Sequence, residues 1–289
     1  MTIAAIAFER LEPSTRNKVA ALLELNPMYE RWTANVSAER QVETAFITAA
    51  TWADLIKRDE AYRNDGTRGG NVVPDDPEGK ADAVRNIGYA DRLRHRYWHF
   101  IDLPFSPDGT RLVQPASPNA QTQIAAFRAA LKSRSASADV KSYDLVWLEH
   151  LVGDVHQPLH ATSRFTRDLP DGDAGGNSVM LCAKLGCREE LHGFWDSVVG
   201  HGSSVTSAKA AARRIAAGRA MPPASPNEND WIKESFEAAQ ATVYVAPIGI
   251  GKGPFELDEP YRKRAAEFAE ERVWLAGNRL ADLLNDALK

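Results

Sequence analysis

The sequence predicts one mostly α-helical domain spanning residues 1–289, with a buried cleft and one short β-hairpin. Three observations predict it. Apolar residues recur at helical spacing through most of the chain. Those stretches are bounded by caps, prolines and turn residues. No internal repeat and no linker-like stretch divides the 289 residues into two cores.

Each element follows in order. "TIAAIAFERL" places Ile3, Ile6 and Ala7 on one side of a helix. Residues 14–25 follow Pro13 and stop at Asn26-Pro27, which predicts a second helix. Residues 38–58 are periodic through Val42, Phe46, Ala49, Ala50, Ala53 and Ile56, which predicts one long helix. A polar loop runs from Tyr62 to about Asp82, and its glycines lack the strand and the GK[ST] of a phosphate-cradling loop. Ser117-Pro118 reads as a cap and first-turn proline of a helix reaching Leu131. Residues 140–156 form a helix that is apolar on several sides, through Leu145, Leu148, Leu151, Val152 and Val155, and so a central one. "SVMLCA" and the segment around Cys187 suggest the hairpin. Helices follow near 190–200, 205–217 and 229–243. Asp258 caps a long closing helix with Pro260 in its first turn.

Composition narrows the function. Hydrophobic residues make up 44% of the chain, enough for a real core. No apolar run approaches the ~18 residues of a membrane span. The net charge of −4 gives no long basic surface for gripping phosphates, so attraction to a polyanion must be local, and bound cations are one source of it. Cys182 and Cys187 fit a small local disulfide in an oxidising compartment and fit two reduced thiols equally well. The opening residues lack the basic start and long apolar stretch of a secretory signal.

The histidines carry the chemistry. The chain has 7, and three lie in "HLVGDVHQPLH" at residues 150–160. His150 and Asp154 share one helix face at i, i+4, a spacing that lets two side chains grip one ion. Pro158 ends that helix and leaves His160 free to turn toward a neighbouring ion. "LHGFWD" at 191–196 repeats the spacing with His192 and Asp196. His99 sits in the aromatic run "YWHFID", where a packed core histidine is the commoner outcome. Asp54 in "TWAD" aligns with inward-facing Ile47 and Ala50, so it needs a cation or an ion-pair partner. Mixed histidine and carboxylate donors without cysteine suit catalytic zinc. Seven such donors (Asp54, His99, His150, Asp154, His160, His192 and Asp196) suit two or three ions and phosphate-ester hydrolysis. A single structural zinc in a non-enzyme is the simpler alternative.

Taken together, "TWAD", "YWHFID", "HLVGDVHQPLH", "DAGGN", "LHGFWD" and "LAGNRLADLLN" resemble, in that order, the zinc-dependent single-strand nucleases of the nuclease S-one and nuclease P-one type. These are relatives of bacterial phospholipase C. The resemblance spans nearly the whole chain. It implies a helical fold with three Zn2+ ions at the bottom of a cleft. Asp54, His99, His150 and Asp154 would hold the first, and Asp154 would bridge to a neighbour. His160, His192 and Asp196 would hold a separate third. Asp54 and Asp154 are the candidate catalytic carboxylates. A hydroxide between the bridged ions would attack phosphorus, leaving 5′-phosphates and also acting on 3′-nucleotides. Phe100 would stack on an unpaired base and Asp102 would hydrogen-bond it. Asn177 would stand on the substrate side, and His156 would support the ligands from behind. Substrates would be single-stranded DNA or RNA, with no membrane partner. The protein would be a secreted or periplasmic monomer.

Two departures stand out. Lys57 replaces the family's usual arginine three residues after Asp54, keeping the charge but not the bidentate fork. The family's N-terminal tryptophan and nearby histidine, which complete the bridged zinc, are not found before "TIAAIAFERL". The expectation is therefore an N-terminally truncated or miscalled chain binding two zinc ions rather than three. Phospholipase C activity and a catalytically impaired zinc-binding homologue are the competing readings. Asp196 argues against the phospholipases, which carry glutamate there.

Overall fold

The structure, a computed structural model, describes residues 1–65, 86–183, 188–200, 202, 204–223, 225 and 227–289. Most of the polar loop predicted after Tyr62 lies outside those residues. So does Cys187, and with it the question of its pairing with Cys182.

The helix Ala138–Asp154 forms the middle of the molecule. The Ser137 hydroxyl caps it by accepting from the Val140 amide at 3.3 Å. Tyr143, Leu145, Val146, Trp147, Leu148, Leu151 and Val152 are all buried, so the helix is covered on every side, as its sequence predicts. The N-terminal helix Thr2–Arg10 and the closing helix Glu259–Ala287 pack against each other beside it. Their approach needs Gly277: a Cβ there would stand 2.6 Å from the Ile6 side chain and 3.0 Å from the Ile3 carbonyl. The Asp258 carboxylate caps the closing helix at the Tyr261 amide, 2.8 Å away.

Three expectations shift. The continuous helix expected over 38–58 is two helices, Ala38–Ala49 and Trp52–Ile56. The Thr51 hydroxyl and amide both turn back to the Thr48 carbonyl, at 2.8 and 3.0 Å, and end the first helix there. The helix expected from Ser117-Pro118 starts at Ala120, because Asn119 rather than Ser117 makes the capping box with Thr122. Among the described residues the expected hairpin reduces to one antiparallel bridge, Met180 with Glu190. The two-stranded sheet lies elsewhere and is parallel, pairing Pro104–Phe105 with Ser163–Arg164.

The break at Ala50–Thr51 sets the short helix Trp52–Ile56 against the central one through Trp52. That ring meets Tyr62, Tyr89, Tyr143 and Trp147 edge-on at 5.7–6.1 Å between centroids.

Candidate metal centre

Two groups of side chains converge on one cleft of about 900 Å³. In the first, donor atoms of Asp54, His99 and His150 all lie within 4.8 Å of one another. In the second, those of His160, His192 and Asp196 do the same. Asp154 stands between them. Its Oδ2 is 2.9 Å from His99 Nδ1 and 3.1 Å from His150 Nε2, and 3.9 Å from His160 Nδ1. All seven residues that the sequence selects as ligands are therefore brought together.

The backbone decides how the histidines point. His150 donates Nδ1–H to the Ala50 carbonyl at 2.8 Å, which the break between the two helices leaves free of an intrahelical bond. His160 donates Nδ1–H to the His99 carbonyl at 2.7 Å, and His192 to the Gly175 carbonyl at 2.8 Å. Each of these bonds commits Nδ1 to the backbone and turns Nε2 toward a carboxylate. His150 Nε2 lies 3.7 Å from Asp54, His160 Nε2 3.5 Å from Asp196, and His192 Nε2 3.4 Å from Asp196. His99 is turned the other way. Its Nδ1 faces Asp54 and Asp154, and its Nε2 is buried without a partner among the described residues.

Gly175 is needed for this arrangement. Its φ is +60°, and a Cβ there would collide with the Leu159 carbonyl oxygen. Only glycine lets the "DAGGN" loop pass that close and present its carbonyl to His192.

The charges fit a cation. Although burial opposes its ionisation, Asp154 is held well below the usual carboxylate range by His150 and His160. Burial likewise opposes charge on His160, yet Asp154 and Asp196 push it up to about 9. His150 is raised against the same opposition by Asp154 and Asp54. Burial, then the Lys57 ammonium, push His99 down to about 3. A bound cation would replace the positive charge that these carboxylates otherwise favour on the imidazoles. Imidazole and carboxylate donors without thiolate suit zinc, and the three oriented Nε2 atoms, once deprotonated, are of the kind a divalent ion takes up.

Asp54 departs from expectation in one respect. It faces the cleft, with 59% of its side chain exposed, rather than the interior, because the chain turns at Ala50–Thr51 ahead of it. Lys57 sits 2.7 Å from it on the next turn. Phe100 and Asp102 line a separate small pocket with Tyr97, Pro115, Pro118 and Asn119. Burial and the neighbouring Asp173 push Asp102 up to about 7. Asn177 lines neither cavity, and its side-chain amide donates to the Ala174 carbonyl at 2.7 Å. His156 joins neither group. Its Nδ1 donates to the Val152 carbonyl at 2.6 Å and its Nε2 accepts from Arg279 at 3.0 Å, which keeps it neutral.

Sequence reasoning missed three contributors. Gln157 donates to Asp196 at 2.9 Å and accepts from the Leu159 amide at 2.6 Å, so it aims the carboxylate. Glu149 lines the same cleft, is 2% exposed, and has neither carboxylate oxygen hydrogen-bonded among the described residues. His95, in the run before His99, is fully buried between two aspartates. Only its proximity to "YWHFID" hinted at a role.

Comparison with known proteins gives the family. The S1/P1 Nuclease family model matches residues 1–289. Endonuclease 2 of Arabidopsis thaliana is 28% identical over 144 residues, a match covering 44% of this chain and 46% of that protein. The chain thus spans about half the length of this relative. With the whole chain matched, the protein belongs to the S1/P1 nuclease family.

Proposed function

We propose that the protein is a zinc-dependent hydrolase of single-stranded nucleic acid, leaving 5′-phosphates and acting also on 3′-nucleotides. The observation that carries this reading is Asp154, placed between two cysteine-free groups of histidine and carboxylate donors in one cleft. Asp54, His99, His150 and Asp154 would hold zinc on one side, and His160, His192 and Asp196 on the other. Bound zinc supplies Lewis acidity toward water and phosphate oxygens.

The chain's own residues do the rest. The Ala50, His99 and Gly175 carbonyls keep three imidazoles oriented, so little reorganisation is needed as charge develops. Lys57 brings a cation to the rim beside Asp54, where a phosphate oxygen can be met. Phe100 offers a ring for stacking, which every base can use and which requires the base to be unpaired. Asp102, pushed up to about 7, both donates and accepts hydrogen bonds near neutrality. Such a group suits a base edge better than a choline headgroup.

The test is hydrolysis of single-stranded DNA, duplex DNA and phosphatidylcholine in parallel, with chelation and zinc re-addition. Cleavage of the single strand alone, lost on chelation and leaving 5′-phosphate ends, supports the reading. Cleavage of the lipid, or zinc binding with no hydrolysis, replaces it. Metal analysis decides between two and three ions per chain. A secreted or periplasmic location and a monomeric state belong to the same proposal, and cell fractionation and sedimentation check them.

A further inference from the structure

His95 is 0% exposed and lies between two carboxylates. Its Nδ1 is 2.9 Å from Asp65 Oδ2 and its Nε2 2.5 Å from Asp91 Oδ2. Its backbone amide donates to the other Asp65 oxygen at 2.8 Å. The ring stacks on Trp98, with centroids 3.4 Å apart and planes 1° from parallel. The backbone at His95 is left-handed, with φ 44°, a conformation a residue with a Cβ holds only when its surroundings impose it. His95 is neither one of the seven metal ligands nor a residue that meets substrate.

Its place in the fold connects it to both donor groups. His95 caps the short turn Arg96–His99. The side chain at the end of that turn enters the first donor group, and the carbonyl of the same residue orients His160 in the second. Asp91 is tied in turn to the central helix by the Tyr143 hydroxyl at 2.9 Å, and Asp65 to the turn by the Tyr97 hydroxyl at 2.9 Å. Tyr143 lies two helical turns before His150.

We propose that His95 is a positioning residue for the metal centre. Held by both ring nitrogens between Asp65 and Asp91, it fixes the turn that supplies a ligand to one group and the orienting carbonyl to the other. The titratable groups facing it among the described residues are Asp65, Asp91, Tyr97 and Tyr143, and the rings of Trp98 and Trp147 complete its surroundings. The inference rests on the metal reading of the cleft.

The experiment is zinc titration against a chromogenic chelator, well below each protein's melting temperature, for the unmodified protein, His95→Phe and Asp65→Asn. Phenylalanine keeps the stack on Trp98 and removes both N–H donors. The expected result is a loss of zinc affinity of about 10–100-fold in folded His95→Phe, the size seen when a group behind a ligand is removed. Asp65→Asn should lose less at low pH and more as pH rises, because with one aspartate gone His95 gives up its proton earlier. Unchanged zinc affinity in folded His95→Phe, with only a lower melting temperature, would overturn the proposal and leave the metal centre standing. If His95→Phe does not fold, Asp65→Asn decides by the same reading: a pH profile superimposable on that of the unmodified protein overturns it. No zinc binding by the unmodified protein would remove the metal reading itself, and the positioning role with it.

Discussion

His160 donates its Nδ1–H to the carbonyl oxygen of His99 at 2.7 Å. A candidate ligand of one group is thus oriented by the backbone of a candidate ligand of the other, so the two halves of the proposed centre are not independent. A change of charge, of a supporting partner or of loop backbone at one group should therefore register in metal binding.

Zinc affinity at the His160 group should rise with pH. A zinc ligand must be a neutral imidazole, and Asp154 and Asp196, against the opposition of burial, hold a proton on His160 up to about pH 9. Calorimetric titration from pH 6 to 9 should show proton release falling as affinity climbs. The metal-free protein should do the reverse. A histidine raised on folding lends stability below the unfolded pKa of roughly 6.5 and loses it as pH climbs toward the folded value. Zinc affinity independent of pH across that window would contradict the assignment of His160.

Gln157→Ala should weaken the second group selectively. Its amide holds Asp196 at 2.9 Å, and loss of such a partner costs about 10–100-fold in metal affinity or activity. Metal analysis after graded chelation should find the His160–His192–Asp196 group emptied first. Equal loss from both groups would show that Gln157 acts on the fold instead.

Gly175→Ala should be damaging out of proportion to its size. A Cβ collides with the Leu159 carbonyl at a φ of +60°, a strain of order 1–3 kcal/mol. Thermal denaturation should register the lower stability. The His192 imidazole loses its aligned carbonyl as the loop shifts, so zinc at the second group should weaken as well.

Glu149→Met should stabilise the metal-free chain. Both oxygens of Glu149 are buried without a hydrogen bond among the described residues, and an unsatisfied buried polar group costs about 1–3 kcal/mol. A methionine of similar length removes those oxygens, and the buried Met1 amine, whose positive charge Glu149 favours against burial, loses that support and gives up its proton more readily. A melting temperature that falls instead would show that Glu149 holds a partner in the cleft.

Much of this was legible in one dimension, for definite reasons. His150 with Asp154, and His192 with Asp196, stand four residues apart, and helix geometry alone puts each pair on one face. The apolar residues on every side of 145–155 place the first pair on a buried helix. Asp54 was legible as a candidate ligand but not in its exposure. Its phase was read along a continuous helix, and the chain breaks at Ala50–Thr51, where Thr51 bonds back to Thr48. Glu149 and Gln157 carried no periodic signal, since one lacks a hydrogen-bond partner among the described residues and the other acts on distant Asp196. His95 stands four residues from Asp91, but no helix carries that pair and its second carboxylate, Asp65, is 30 residues away.

The helical class, the family and the seven candidate ligands could be read in one dimension, because local spacing and ordered motifs survive without three-dimensional information. Which candidate ligands share a group, and that Asp154 stands between the groups, came from long-range packing. The tertiary structure also showed that backbone carbonyls of Ala50, His99 and Gly175 set the imidazoles. Those carbonyls look alike in any sequence. Their role depends on where the chain breaks its own hydrogen-bond ladder, and long-range packing alone decides which imidazole each one meets.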